Sequence, residues 1–152
     1  MKGKSTEEYS FIFQKLRDHI INYAELNKEY ELNELHSDFE IAIGAGAKKI
    51  FPNLIIKYCI FHMKSSLEKK KNSLCKTEVI NDNNLFILYK ICCNLYICVP
   101  LYVNNVFDII KTKSDNEKFN EFLTYFEAVY INRYNIKQWN YYKNYEHITN
   151  NV

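Results

Sequence analysis

Apolar residues recur along this chain in two periods. Tyr9, Ile12, Phe13, Leu16, Ile20 and Tyr23 fall three or four apart, with Lys15, Arg17, Asp18 and Glu25 on the other side. That spacing predicts one amphipathic helix over residues 6–25, opened by the capping-box pattern Ser5-x-x-Glu8. The alternation Glu31-Leu32-Asn33-Glu34-Leu35 then predicts a short strand running to Ser37. Ser37-x-x-Glu40 is a second capping-box pattern, which predicts a helix starting near Phe39 with Phe39, Ala42, Ile43, Ala47 and Ile50 inward. Pro52-Asn53 ends it. Gly44 and Gly46 would each cost about 1 kcal/mol relative to Ala inside that helix, a cost tolerated where the helix backbone lies close against a sheet. Leu54 to Ile60 is rich in β-branched and aromatic residues, as a buried strand is. Strand, helix and strand at this spacing predict a βαβ unit with parallel strands.

Beyond His62 only the helical period remains. Met63 to Lys76 reads as a helix carrying the basic run Lys69-Lys70-Lys71, and Asn81-Asp82-Asn83-Asn84 as a loop. Leu85, Leu88, Tyr89, Cys92, Leu95, Tyr96 and Val99 form a helical stripe. Pro100 suits the first position of a further helix, whose Val103, Val106, Phe107 and Ile110 continue the pattern to about Lys113. Ser114-x-x-Glu117 is a third capping-box pattern, ahead of Phe119, Phe122, Leu123, Phe126 and Tyr130. The expected architecture is an α/β part over residues 1–62 followed by a mostly α-helical part over residues 63–152.

Composition narrows the class. At 152 residues the chain has the length of one domain with a real core. Apolar residues at 47% and aromatics at 16% exclude a disordered chain. Three Gly and two Pro speak against a turn-rich sandwich or barrel. A formal charge of +2 leaves a nucleic-acid partner open, because the distribution of charge makes a binding face. The N-terminus lacks the apolar run of a secretory signal. Leu85 to Val103 is about as long as a bilayer is thick, but Lys90, Asn94 and Pro100 interrupt it, so no membrane span is expected. The five cysteines, at 59, 75, 92, 93 and 98, are odd in number and irregularly spaced. Free thiols in a reducing intracellular compartment follow.

Candidate chemistry is sparse. Asp38 falls where a strand hands over to a helix: a carboxylate there can hold Mg²⁺ for phosphoryl transfer, or simply sit favourably at the positive end of a helix. Glu40 reads as the capping-box partner of Ser37. Cys59-x-x-His62 is either half of a zinc site or a buried strand cysteine followed by a histidine at a helix start. Cys75, Cys92, Cys93, Cys98 and His147 offer no second paired spacing to complete such a site. Lys69, Lys70 and Lys71 are either a phosphate-binding patch or a solvated helix face, and Tyr141 and Tyr142 are candidates for base stacking. No P-loop, nucleophile-elbow, dinucleotide or zincin pattern occurs.

Taken together, Asp38-Phe39-Glu40, Ala42, Ala47, Phe51-Pro52 and Cys59-x-Phe61-His62 resemble the transposase domain of Mutator-like elements. Further on, the Pro100-Leu101 step, Phe126-Glu127, Trp139-Asn140 and Thr149-Asn150-Asn151 stand in that family's order, and Gly3-Lys4-Ser5 ahead of Tyr9 fits upstream. The resemblance spans nearly the whole chain, and the stretch from Asp38 to His62 is its specific part. It implies a partial RNase H-like fold with a large helical insertion, DNA as partner, a nuclear location and DDE-type strand transfer. In that chemistry three carboxylates hold two Mg²⁺ or Mn²⁺ ions. Asp38 matches the family's second catalytic acid, and Cys59 and His62 match its Cys-x-x-His motif, whose role stays open between metal, DNA contact and structure.

Two departures bear on activity. The family's first Asp belongs upstream of Gly3-Lys4-Ser5 and its final Glu beyond Thr149-Asn150-Asn151; neither lies within these residues. One acid of three cannot hold a two-metal centre, so the expectation is a transposase segment without catalysis of its own and no tightly bound ion. The alternative is a domesticated DNA-binding or interaction module; an unrelated helical interaction protein is a third reading. A βαβ unit lacking its usual neighbouring strands also exposes sheet edges and invites self-association. The purified chain is expected to leave supercoiled plasmid intact with Mg²⁺ or Mn²⁺. Nicking that Asp38→Asn abolishes would overturn this.

Overall fold

Alternating side chains in two short segments generate a parallel pair of strands. β1 (Glu34–Ser37) pairs with β2 (Ile55–Tyr58) in the register Glu34↔Ile55, Leu35↔Ile56, His36↔Lys57 and Ser37↔Tyr58. Between them runs α2 (Ile41–Ile50), which makes a βαβ unit, and ahead of them lies α1 (Thr6–Ala24). This is a computed structural model, and it describes residues 5–24 and 32–143, with side chains for 5–21 and 32–143. The expectations placed on Gly3-Lys4, the Tyr23 side chain, Glu25, Glu31, His147 and Thr149-Asn150-Asn151 lie outside the described residues.

The chain divides into two compact units after Tyr58. The boundary predicted after His62 moves forward because β2 stops at Tyr58 and a helix, α3 (Ile60–Leu74), begins at once. Cys59 is the residue that starts that helix, so the Cys-x-x-His turn belongs to the helical unit.

In the first unit the Ser5–Glu8 box forms as predicted. The Ser5 N–H donates to Glu8 Oε2 at 2.5 Å, and the Glu8 N–H donates to Ser5 Oγ at 3.2 Å. The second box does not form. Ser37 is held in the strand register opposite Tyr58 and its hydroxyl donates to the Asp38 carbonyl at 3.1 Å. Glu40 itself takes the cap position of α2, which begins at Ile41. Phe39 stacks on Tyr58 with ring centroids 4.8 Å apart, anchoring the bend between β1 and α2.

The two helix glycines serve different neighbours. A Cβ on Gly44 would meet Ile56 Cγ2 at 3.5 Å and the Tyr58 hydroxyl at 3.6 Å, so Gly44 faces the sheet as expected. A Cβ on Gly46 would lie 2.6 Å from Tyr9 Cβ, 2.9 Å from Ser10 N and 2.9 Å from Thr6 O. Gly46 therefore faces α1, at a crossing where backbone meets backbone. The Ser10 hydroxyl marks the same place, donating to Thr6 O at 2.8 Å.

The second unit is helical throughout among its described residues: α3, α4 (Lys76–Asn81), α5 (Asn83–Asn94), two 3-10 turns (Leu95–Ile97 and Pro100–Tyr102), α6 (Val103–Lys113), α7 (Glu117–Phe126), a π-helical segment (Glu127–Arg133) and α8 (Ile136–Trp139). Pro100 occupies the first position of its turn, as predicted. The predicted loop over 81–84 shrinks to Asp82, whose carboxylate accepts the N–H groups of Asn84 (2.8 Å) and Leu85 (3.2 Å) and caps α5. Likewise Asn116, not Ser114, caps α7, accepting the Phe119 N–H at 3.0 Å, while Ser114 ends α6. Met63, Leu67, Val103, Phe107, Phe119, Phe122, Phe126 and Trp139 form the core. The wide π-helical turn leaves the Tyr130 carbonyl able to accept the Trp139 indole N–H at 2.9 Å. Next to it the Asn140 amide donates to Cys98 O at 2.7 Å and the Tyr141 N–H to Tyr96 O at 2.6 Å, fastening the end of the described chain to the 3-10 turn. Among the described residues no helix is long and apolar enough to cross a membrane.

The glycines give a paired test. Gly46→Ala is expected to destabilise the protein by about 1–3 kcal/mol, because the opposing atoms are backbone or, at Tyr9, a Cβ fixed to it. Gly44→Ala meets only ordinary contacts and should gain up to about 1 kcal/mol from helix propensity. Urea unfolding of both variants checks this; equal effects would refute the crossing geometry.

Candidate metal-binding acid and the Cys-x-x-His turn

Asp38 follows the last residue of β1 and is exposed. Parallel strands present ligand-binding groups at their carboxyl ends, and Asp38 stands at such an end. The helix-cap explanation for it falls away, since α2 begins three positions later with no acid in its first turn. Among the described residues its carboxylate has no hydrogen-bond or ion-pair partner. Its neighbour Glu40 is committed: Glu40 Oε2 accepts the Tyr9 hydroxyl at 3.0 Å. Partial burial, that hydrogen bond and the charges of Glu40, Asp38 and Glu8 together push the Tyr9 phenol above its ordinary range, so it stays a donor. Periodicity places Tyr9 in an apolar stripe, and no local pattern marks its hydroxyl as Glu40's partner.

Cys59 is half-buried at the start of α3, and His62 is exposed in the first turn. The His62 ring stands edge-on to Phe61 with centroids 5.8 Å apart. All five cysteines are free thiols. Desolvation pushes the Cys75 thiol up to about 11 and also raises Cys92, Cys93 and Cys98, which disfavours the thiolate a metal needs. Among the described residues no three His, Cys, Asp or Glu side chains gather into a metal-holding group.

The basic run does not make one face, because successive helix positions point about 100° apart. Lys71 is 11% exposed in its side chain, pairs with Glu68 at 2.7 Å and lies over the Tyr89 ring at 5.1 Å. Lys70 lies over the Tyr125 ring at 5.0 Å, leaving Lys69 as the exposed member. Of the two tyrosines considered for stacking, Tyr141 is buried and Tyr142 exposed.

Compared with known proteins, the chain matches no family model, no curated protein and no solved structure.

Glu68 links the helices of this unit. Its Oε1 accepts Lys71 Nζ (2.7 Å) and the Asn72 amide (3.3 Å), and its Oε2 accepts the Tyr89 hydroxyl (2.6 Å). The bonds from Lys71 and Tyr89 hold its carboxyl below the ordinary range. A carboxyl depressed by folding contributes stability in full above its unfolded pKa of about 4.3, and that contribution is lost as pH falls through the folded value. With half the side chain exposed, Glu68→Gln should cost only about 0.5–1 kcal/mol near pH 7. The gap from wild type should be smaller at pH 4 than at pH 7. Urea midpoints at both pH values measure it, and a gap undiminished in acid would contradict the assignment.

Proposed function

We propose that this chain is a segment of a DDE-type DNA strand transferase resembling the Mutator-like class. Its βαβ unit would belong to an RNase H-like core, its helical unit would be the insertion, and Asp38 would supply one carboxylate to a Mg²⁺ or Mn²⁺ centre. The observation that carries this reading is the exposed carboxylate of Asp38, unpartnered among the described residues, at the carboxyl end of a strand in a parallel βαβ unit. One carboxylate gives weak ion binding, so the remaining acids of a two-metal centre would have to come from outside the described residues. DNA as partner and a nuclear location go with this reading. A second reading is a DNA-binding or interaction module without catalysis.

Mn²⁺ tests the role of Asp38 directly. Titrated into the ¹⁵N-labelled chain, it should broaden the Asp38 and Phe39 amide signals at roughly millimolar concentration. Asp38→Asn should abolish that broadening while changing stability by less than about 0.5 kcal/mol, as for a surface position. Broadening that survives the substitution, or a large loss of stability, would assign Asp38 a structural role.

A further inference from the structure

The helical unit carries a cleft of about 460 Å³ between α3 and α5, lined by Phe61, Lys64, Ser65, Glu68, Lys90 and Asn94, with Tyr89 and Cys93 also on its wall. Its volume is in the range of small-molecule sites. Two lysines flank it, one from each helix, and among the described residues neither has a carboxylate partner. Lys64 Nζ donates to the Tyr96 hydroxyl at 2.9 Å and lies 4.5 Å over that ring, and Lys90 Nζ lies 5.2 Å over the Phe86 ring. Elsewhere Lys49, Lys71, Lys111 and Lys118 are each paired with an acid. The one acid in the cleft, Glu68, is already satisfied by Lys71, Asn72 and Tyr89. Two lysines without a carboxylate partner among the described residues therefore line the same cleft.

Phe61 supplies the second half of the chemistry. It is 71% exposed in the first turn of α3, a large apolar ring kept in water. Folding gains little from it there. An exposed ring beside a cationic cleft is the combination by which proteins take up an unpaired nucleotide, phosphate on the cations and base on the ring. Ser65 and Asn94 add neutral hydrogen-bonding groups.

We propose that this cleft binds a nucleotide unit, with its phosphate between Lys64 and Lys90 and its base stacked on Phe61. The cleft belongs to the helical unit and Asp38 to the α/β unit, and the proposal does not depend on the metal reading. A nucleic-acid single strand and a free nucleotide share this chemistry, and separate arms of one experiment distinguish them.

Anisotropy of a fluorescein-labelled single-stranded oligothymidylate, titrated with the full chain over a salt series, is the test. Lys90→Gln should weaken binding several-fold and flatten the slope of log K against log salt by about 0.7, the value for one lost phosphate contact. Phe61→Ala should weaken binding about tenfold with the slope unchanged. Both side chains are exposed, so both variants should melt like the wild type, and Lys69→Gln, outside the cleft, serves as the control. Displacement of the label by thymidine monophosphate identifies a free-nucleotide site; displacement only by unlabelled strand identifies a strand site. No binding at low salt overturns the proposal, as do Lys90→Gln and Phe61→Ala variants indistinguishable from the Lys69→Gln control. Equal displacement by polyglutamate does so too.

Discussion

The α/β unit depends on one contact between two helix backbones. At Gly46 the atoms of α2 come so near Thr6, Tyr9 and Ser10 of α1 that no side chain fits between them. Close approach without a Cβ lets the hydroxyl of Tyr9 reach Glu40 across the same interface. It also frees the opposite side of α2, at Gly44, for Ile56 and Tyr58 of the sheet. A helix of ten residues thus meets a helix on one side and a sheet on the other. The small residues in Ala42 to Ala47 are what make both contacts short.

The helical unit is organised by aromatic packing and by the exact placement of a few polar groups. Phe107 stacks on Phe126 with centroids 5.1 Å apart, Phe126 meets Tyr130 at 5.2 Å, and Tyr130 meets Trp139 edge-on at 6.4 Å. Rings in such arrangements add directional preference to the area they bury. The Trp139 indole completes the arrangement by taking the Tyr130 carbonyl, which in an α-helix would serve the next turn. Lys71, Glu68 and Tyr89 tie α3 to α5 and thereby set the walls of the cleft.

What could be read from the residues alone follows from the range of the forces involved. Periodicity records burial of whole faces, so the longer helices, both strands and their parallel pairing were legible, whereas the short α4 and α8 and the 3-10 turn that ends the stripe at Leu95 were not. Capping patterns are local and degenerate, and the three boxes show it. Ser5 met no competing demand and capped its helix. Ser37 was claimed by strand pairing, and Ser114 lost its place to Asn116, which lies nearer the helix start. The lysine run leaves patch and solvated face undecided on sequence alone, because neighbours in sequence are not neighbours on a helix surface. Lys64 and Lys90, which do share a cleft, stand 26 positions apart, and no local pattern could have joined them. Gly46 was legible as a small residue, but its partner was not, since only tertiary structure brings α1 against it.

Asp38 and Glu40 show how one local arrangement separates two similar acids. Glu40 holds both the cap position of α2 and the Tyr9 hydroxyl, although it makes no side-chain cap bond. Asp38, two residues earlier and exposed, receives neither. Among the described residues its carboxylate has no hydrogen-bond or ion-pair partner, which costs little at an exposed position. Phe39 keeps this division in place: its stacking on Tyr58 fixes the bend, so the acids on either side of it cannot exchange roles without breaking a ring contact in the unit's interior. The ring that stacks on Tyr58 therefore lies between a carboxylate used in structure and one exposed beyond the strand end.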